Sequence, residues 1–333
     1  MLEALLSPRD LEEPEARWLM EHLVGGEAPP SQIAAALIAL RSKGCSGIEL
    51  AAFADVLRAR AVPMPPTHRT LVDTCGTGGG APSFNLSTAA AIIASAAGAA
   101  VAKHGNRAVT SKCGSADVLE ALGVKMDPSP ERTAHMLDAI GLAFLFAQSL
   151  HPAMKAVGPT RREIGVRTVF NQLGPLVNPA GARRQVVGVY AAALLEPMAD
   201  ALVLLGAERA LVVHGKDGMD EISPCAPTDW SGVWDGERLR GTLEPADFGL
   251  ETLAPRWLEP ADTVGGNAAL LNEAIGDLQS PRCSAVLPGA AVTLWVAGIA
   301  SDVRDGAARA QDAVASGAAT QRLAELVEAS RTP

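Results

Sequence analysis

Apolar residues recur three and four positions apart through the first sixty residues, at Ile33, Leu37 and Leu40 and again at Leu50, Phe53 and Leu57. That is the spacing of a single buried helix face. Pro14 suits the first turn of a helix that runs to Val24 and is ended by Gly25-Gly26. Ser31 is placed to cap a second helix, from Gln32 to about Lys43, with Gly44 as its stop. Ser46 and Glu49 have capping-box spacing for a third, which ends near Arg60. The run Ala61-Val62-Pro63-Met64-Pro65-Pro66 cannot continue a helix and reads as a semi-rigid linker.

Beyond the linker the pattern shortens and alternates. Leu71–Thr74 and Ala100–Lys103 are short buried strands with a helix, Ser87–Ala97, between them. A helix at Ser115–Leu122 is stopped by Gly123, and another runs from Ser129-Pro130-Glu131 to Gly141, ahead of a strand at Ala143–Ala147. Strands at Val186–Tyr190 and Ala210–Val213 flank the helix Glu196–Leu205. Between 151 and 181 the texture differs, with helices at His151–Val157 and Arg167–Leu173 around the charged Arg161-Arg162-Glu163, so this segment leaves the sheet and returns with its arginines toward the cleft. The stretch 225–250 reads as a local hairpin excursion, and residues 262–333 return to helices, the last two separated by Gly317. Strands alternating with helices predict the α/β class. The expected organisation is a small all-helical N-terminal domain, 1–65, and a large α/β domain, 66–333, with a central sheet flanked by helices. Residues 151–181 are expected to pack near the small domain or form part of a hinge.

Composition narrows the function classes. The chain has 333 residues, 48 % of them hydrophobic and only 4 % aromatic, which suits closely packed helices with small residues between them. A formal charge of −9 argues against a nucleic-acid groove. The apolar runs at 88–102 and 284–300 are rich in alanine and glycine and read as buried helices, not membrane spans. Residues 1–10 lack the long apolar core of a signal peptide. The five scattered cysteines have no metal-ligand spacing and read as reduced thiols of a cytoplasmic protein. Cys75 and Cys113 flank loop positions but read as small packing residues.

The chemistry concentrates in residues 73–124. Asp73-Thr74-Cys75-Gly76-Thr77-Gly78-Gly79-Gly80 follows a strand and leads through Ser83-Phe84-Asn85-Leu86-Ser87-Thr88 into a helix. A side-chain-free turn lets backbone N–H groups approach phosphate oxygens, and the helix N-terminus adds partial positive charge. Lys103-His104-Gly105-Asn106-Arg107 then supplies a cation and an amide at the end of the next strand. The combination points to a phosphorylated sugar.

With Gly114-Ser115-Ala116-Asp117, His151-Pro152-Ala153-Met154-Lys155, Arg161-Arg162-Glu163, Phe170-Asn171-Gln172-Leu173-Gly174-Pro175 and Gly218-Met219-Asp220-Glu221 in order, the chain from about residue 10 to about residue 330 closely resembles the anthranilate phosphoribosyltransferases, of the nucleoside-phosphorylase-like class. The resemblance implies transfer of a phosphoribosyl group from phosphoribosyl pyrophosphate to the amine of anthranilate, a requirement for Mg2+, and a homodimer built through the small domains. It implies that Gly76, Gly78, Gly79 and Gly80 line the pyrophosphate. Ser83, Asn85, Ser87, Thr88, Lys103, Arg107, Ser111 and Ser115 would contact the donor. Ser87, Asp220 and Glu221 would hold the metal. Asn106, His151, Arg161 and Gly76 would meet anthranilate, with Lys103, Asn106 and Arg161 acting by charge and positioning and no covalent nucleophile required.

Each of these residues has a structural alternative. Ser87 reads equally as a helix N-cap, and Asp220-Glu221 as a solvated turn. Arg161 reads also as the partner of Glu163 in a surface ion pair, and His104 and His151 as packed histidines. The chain also departs from the family pattern: Gly76-Thr77-Gly78-Gly79-Gly80-Ala81-Pro82-Ser83 lacks the family's loop aspartate and is one residue shorter. That change removes a possible metal contact beside the pyrophosphate. A relative with another aromatic acceptor, and a catalytically silent relative that binds nucleic acid or a regulatory ligand, are the competing readings.

Overall fold

The computed structural model describes residues 2–7, 9–65, 67, 70–108 and 112–331. Four helices open the chain: α1 (Leu2–Leu6), α2 (Glu13–Val24), α3 (Pro30–Lys43) and α4 (Gly47–Ala59). The predicted capping box forms at α4. Ser46 Oγ accepts the Glu49 N–H, and the Glu49 carboxylate accepts the Ser46 N–H at 2.9 Å. Glu49 is fully buried, and it also accepts from Leu11 N at 2.9 Å and Lys43 Nζ at 2.7 Å, so one carboxylate ties three segments together. The cap expected at Ser31 is not used. Pro29 is the N-cap and Pro30 the first helical residue, because a proline in the first turn has no N–H to leave unpaired.

The remainder is a seven-stranded sheet with helices on both faces. Its strands are β1 (Leu71–Thr74), β2 (Ala100–Gly105), β3 (Leu142–Phe146), β4 (Arg184–Gly188), β5 (Arg209–Gly215), β6 (Thr228–Trp234) and β7 (Glu237–Leu243), in the order β3-β2-β1-β4-β5-β6-β7. The first five are parallel; β6 pairs antiparallel with β5, and β7 with β6. The stretch read as a local hairpin excursion is therefore a continuation of the main sheet. Helices α5 (Leu86–Ala96), α6 (Ser115–Ala121), α7 (Pro130–Ile140) and α8 (Ala147–Leu150) accompany the first three strands, and α11 (Leu195–Leu204) links β4 to β5. The chain ends in α12 (Val264–Gly276), α13 (Pro281–Ala297), α14 (Val303–Ala315) and α15 (Ala318–Arg331).

Between β3 and β4 lie α9 (Gly158–Ile164) and α10 (Val169–Leu173). The helix expected at His151–Val157 is instead a 3₁₀ turn, Pro152–Lys155, and Arg161-Arg162-Glu163 sits on α9 and not between helices. α10 begins two residues later than expected, because Asn171 Oδ1 accepts the Thr168 N–H at 3.0 Å and fixes Thr168 as the extended cap residue.

Strand alternation distributes two cores. Leu211 and Val213 face a core with α5 and α13, while Ala210 and Val212 face a second core. That second core runs from Val187, Val212 and Val233 under α11 to Leu37 and Leu57 of the N-terminal helices, and takes in Val157, Phe170 and Leu173 around α9 and α10. The N-terminal helices and the 157–177 segment are thus packed as one apolar body against one face of the sheet.

Candidate active site

In the sheet order, the chain runs outward from β1 in one direction to β2 and β3, and in the other to β4 and β5. The crevice at the carboxyl ends of β1 and β4 is thus the topological switch point, where α/β sheets bind ligands. The glycine loop leaves β1 at this place. Cys75 N donates to Val186 O at 3.2 Å and Thr77 N to Gly188 O at 2.8 Å, so the loop begins as an extension of the sheet. Gly78 (φ +70°) and Gly79 (φ +89°) then take left-handed conformations that side chains disfavour.

The loop rests on the segment that follows β5. Gly80 N donates to Asp220 Oδ1 at 3.2 Å. A Cβ at Gly80 would fall 2.4 Å from Asp220 N, so no side chain fits there with the loop in this position. Asp220 thus accepts a loop N–H that would otherwise be available to a phosphate. Burial pushes the Asp220 carboxyl up, against the pull of the loop amides and of Arg167. Glu221 beside it is pushed up to about 7 by burial and by repulsion from Asp220, with Lys103 and Ser87 acting in the opposite direction. Thr74, Cys75, Gly76, Ser87, Asp220 and Glu221 surround a cavity of about 20 Å3, room for a single water molecule. A hollow of about 720 Å3, an open groove lined by Leu122 and residues of α12 and α15, shares no residue with this site.

Lys103 is 3 % exposed, not a solvated surface charge. Its Nζ donates to Thr74 O at 2.6 Å and to Ser87 Oγ at 3.2 Å, joining β2 to β1 and to the first turn of α5. The N-cap of α5 is Asn85, not Ser87. Ser87 therefore sits inside the first turn with its hydroxyl turned to Lys103 and Glu221. Asn85 Nδ2 donates to Cys113 O at 3.2 Å. Ser83 lies half-buried in the loop.

Arg107 is held elsewhere. Its guanidinium pairs with Asp117 at 3.1 Å and Glu120 at 2.7 Å, on α6. Asn106 is exposed, and its Oδ1 accepts from Gln148 Nε2 at 3.0 Å. Ser115 Oγ donates to Asn106 O at 3.3 Å. Ser111 lies outside the described residues.

On the other side, His104 and His151 meet edge to face with ring centroids 5.1 Å apart. Burial draws His104 down to about 3 and His151 to about 4, so both rings are neutral at pH 7. Arg161 lies over the Phe170 ring at 5.1 Å, and burial lowers its pKa. Among the described residues no carboxylate stands within 4.0 Å of it, so the ion pair with Glu163 is not formed. Among the described residues, the buried side-chain polar atoms without a hydrogen-bond partner are Asp73 Oδ2, Asn85 Oδ1, Thr88 Oγ1, His104 Nε2, His151 Nε2, Thr168 Oγ1 and Gln172 Oε1. All belong to the segments that build this cleft. Native interiors satisfy nearly all such atoms, so the concentration here marks a place shaped for a polar ligand.

Two residues without an assigned role from sequence stand out. Asp73 is fully buried beneath the loop, its carboxyl pushed up to about 6 by burial, and it accepts the His104 N–H at 3.0 Å. Arg167 donates to Gly79 O at 2.5 Å from 88 positions away in sequence. A glycine as acceptor and a strand-internal aspartate carry no local signal for either contact.

Comparison with known proteins places this arrangement. Residues 1–61 match the helical bundle domain of a glycosyl transferase family, and residues 68–320 match the a/b domain of the same family. An anthranilate phosphoribosyltransferase of Anaeromyxobacter dehalogenans is 48 % identical over 335 residues, covering 99 % of this chain and 97 % of that one. One from a Roseiflexus species is 49 % identical over 325 residues, covering 97 % and 95 %. The crystal structure of the Thermus thermophilus enzyme of that name superposes with a TM-score of 0.93 at 41 % identity, over 99 % of each chain. The Saccharomyces cerevisiae enzyme, solved in complex with PRPP and Mg, superposes with a TM-score of 0.88 at 26 % identity, over 99 % of this chain and 96 % of that one.

Proposed function

Since the chain belongs to the anthranilate phosphoribosyltransferases, a glycosyl transferase family, we propose that it joins the phosphoribosyl group of phosphoribosyl pyrophosphate to the amine of anthranilate, in tryptophan biosynthesis. The C1–O bond to pyrophosphate breaks, the C1–N bond forms, and the amine gives up one proton. Charge separates as the diphosphate departs, so the residues that matter hold negative charge and orientation.

The donor side is the glycine loop with Asn85, Thr88 and Lys103. Asn85 Oδ1 and Thr88 Oγ1 are buried without partners, as ligand-facing groups are. Gly80 would exchange its bond to Asp220 for one to phosphate. Ser87, Asp220 and Glu221 are hard oxygen donors, and the burial and carboxylate crowding that together raise Glu221 suit a divalent cation. They would hold Mg2+, which when bound offsets the charge of the leaving diphosphate. Ser83, Ser115 and Arg107 border this side, Arg107 after leaving its ion pairs on α6.

The acceptor side is Arg161 with Asn106, His151 and Gly76. The observation that carries the reading is the Arg161 guanidinium, half-buried over Phe170 with no carboxylate of the described protein near it. A planar cation in that state suits the carboxylate of an aromatic acid. The acceptor is an aromatic amine, neutral at pH 7, so the two neutral histidines shape and dry the pocket without serving as a strong base.

The test is the loss of anthranilate fluorescence with phosphoribosyl pyrophosphate and Mg2+, with an EDTA control. Wild type is expected to turn over only with donor and metal present. Arg161→Ala is expected to raise KM for anthranilate about 100-fold, the worth of a charge-assisted pair, and to leave KM for the donor within about threefold. No donor-dependent loss in wild type, or an unchanged KM in the variant, would overturn the assignment.

A homodimer through the N-terminal helices fits the apolar side chains they expose, Leu6 at 77 %, Trp18 and Ile48 at 50 % and Ile38 at 41 %. Sedimentation equilibrium is expected to give twice the 34.3 kDa chain mass, and a single chain at micromolar concentration would remove the dimer. No described helix is long and apolar enough to cross a membrane.

A further inference from the structure

The donor brings a 5-phosphate and a diphosphate, and the cations at the glycine loop are few. Lys103 is already engaged by Thr74 and Ser87. Arg107 is paired with two carboxylates, and Lys112 with Asp262. Arg167 is different. Its guanidinium makes one hydrogen bond among the described residues, to Gly79 O, and has no carboxylate within 4.0 Å. The Tyr190 ring lies 4.6 Å from its guanidinium carbon, and Tyr190 N is itself bound to Thr77 Oγ1 of the loop at 3.1 Å.

The contact is part of a hydrogen-bonded network. A Cβ at Gly79 would fall 2.2 Å from Arg167 Nη2, so the guanidinium occupies the space that any side chain at 79 would take. The peptide between Gly79 and Gly80 is fixed at both ends, its carbonyl by Arg167 and its N–H by Asp220. The backbone of Arg167 is anchored in turn, its carbonyl accepting from Arg41 of α3 at 2.5 Å. One arginine thus joins the N-terminal helices, the acceptor-side segment before α10, and the donor loop.

The geometry points to Arg167 as a donor-binding residue: its guanidinium, over the Tyr190 ring and beside Gly79 with most of its N–H donors unused among the described residues, pairs with the diphosphate of the donor. An arginine over an aromatic face is attracted to the ring and still presents its N–H fork to an anion. A glycine-loop carbonyl is a weak partner that a phosphate oxygen displaces at little cost. This inference rests on the proposed phosphoribosyl transfer for the identity of the donor, but its test does not use the acceptor.

Inorganic pyrophosphate with Mg2+ is titrated into wild type and Arg167→Gln by calorimetry, and donor and anthranilate kinetics are measured on both. Arg167→Gln is expected to weaken pyrophosphate about 30-fold and to raise KM for the donor similarly, as loss of a charge-assisted pair does. KM for anthranilate should stay within about threefold, a split that a merely structural loop support would not produce. Arg167→Lys should recover part of the loss. If Arg167→Gln fails to fold, Arg167→Met, which keeps the stem on Tyr190, is read by the same criterion. Pyrophosphate binding within twofold of wild type, or a wild type that does not bind pyrophosphate, overturns the inference. A wild type that binds pyrophosphate in an Arg167-dependent way but never consumes anthranilate supports it and sinks only the acceptor assignment.

Discussion

Lys103→Met is expected to lower kcat/KM for phosphoribosyl pyrophosphate by about a thousandfold or more in protein that still folds. The size follows from two effects that share a sign. The side chain is 3 % exposed and its charge lies under the glycine loop, in a place that excludes water, where a fixed cation facing developing negative charge is worth about a hundred- to a thousandfold in rate. Its Nζ also ties Thr74 O to Ser87 Oγ, so its loss frees the first turn of α5, from which Ser87 would reach the metal. Lys103 draws both Asp73 and Glu221 toward their ionised forms, so the variant should melt at lower temperature as well. Thermal melts select the temperature at which the variant is folded, and donor-dependent rates are measured there. A loss below tenfold in folded protein would reduce Lys103 to a strut between β1 and α5.

How much of this is visible in sequence depends on how local each cause is. The loop after β1 is legible because glycines at 78 and 79 are required by left-handed backbone at those positions. The start of α4 is legible because Ser46 and Glu49 answer each other three residues apart. The start of α5 is misplaced by one residue and its cap by two, for a reason that is not local: Ser87 looks like a cap, but its hydroxyl is taken by Lys103 from the neighbouring strand, and Asn85 stands at the cap. The hairpin of β6 and β7 is legible, but six of the seven residues of β7 are exposed, and nothing local signals that β6 pairs along its length with β5 and so extends the main sheet. The turn at Pro152–Lys155 is short because prolines at 152 and 159 open two separate elements.

The site divides in the same way. The half proposed to face the donor's phosphates lies in one stretch, 76–88, and local pattern plus helix-terminus electrostatics points to it. Its remaining parts come from the ends of β2 and β5 and from the α9–α10 segment, and they meet only through the strand order. Arg167 shows the limit clearly. Nothing in the residues around it marks it apart from Arg161 or Arg162, yet it is the one that reaches Gly79. The gap left by the absent loop aspartate also acquires a physical meaning. With the loop resting on Asp220, position 80 has no room for a Cβ, so a glycine there and the close approach of Asp220 imply each other.

His151→Gln is expected to become more stable relative to wild type by about 2 kcal/mol between pH 7 and pH 5, in urea midpoints converted at a common slope. Burial draws His151 down to about 4 and His104 to about 3 in the folded chain, whereas in the unfolded chain both take up protons near pH 6.5. A group with a lowered folded pKa contributes stability that is complete above its unfolded pKa and is lost as the pH falls toward its folded value. Each histidine therefore costs about 1.4 kcal/mol per pH unit below 6.5, or about 2 kcal/mol by pH 5. Asp73, pushed up to about 6, and Glu221, pushed up to about 7, act in the opposite sense, because the folded chain takes up their protons first as the pH falls. Those contributions, together with that of Asp220, which burial also raises, oppose the contribution of the histidines and flatten the pH dependence of wild type over this range. The histidine contribution emerges only in the difference between the two proteins, which removes everything they share. Parallel curves for wild type and His151→Gln would mean that His151 titrates in the folded chain as it does in water, and that the surroundings of the His104–His151 pair are wet and not closed by neutral imidazoles.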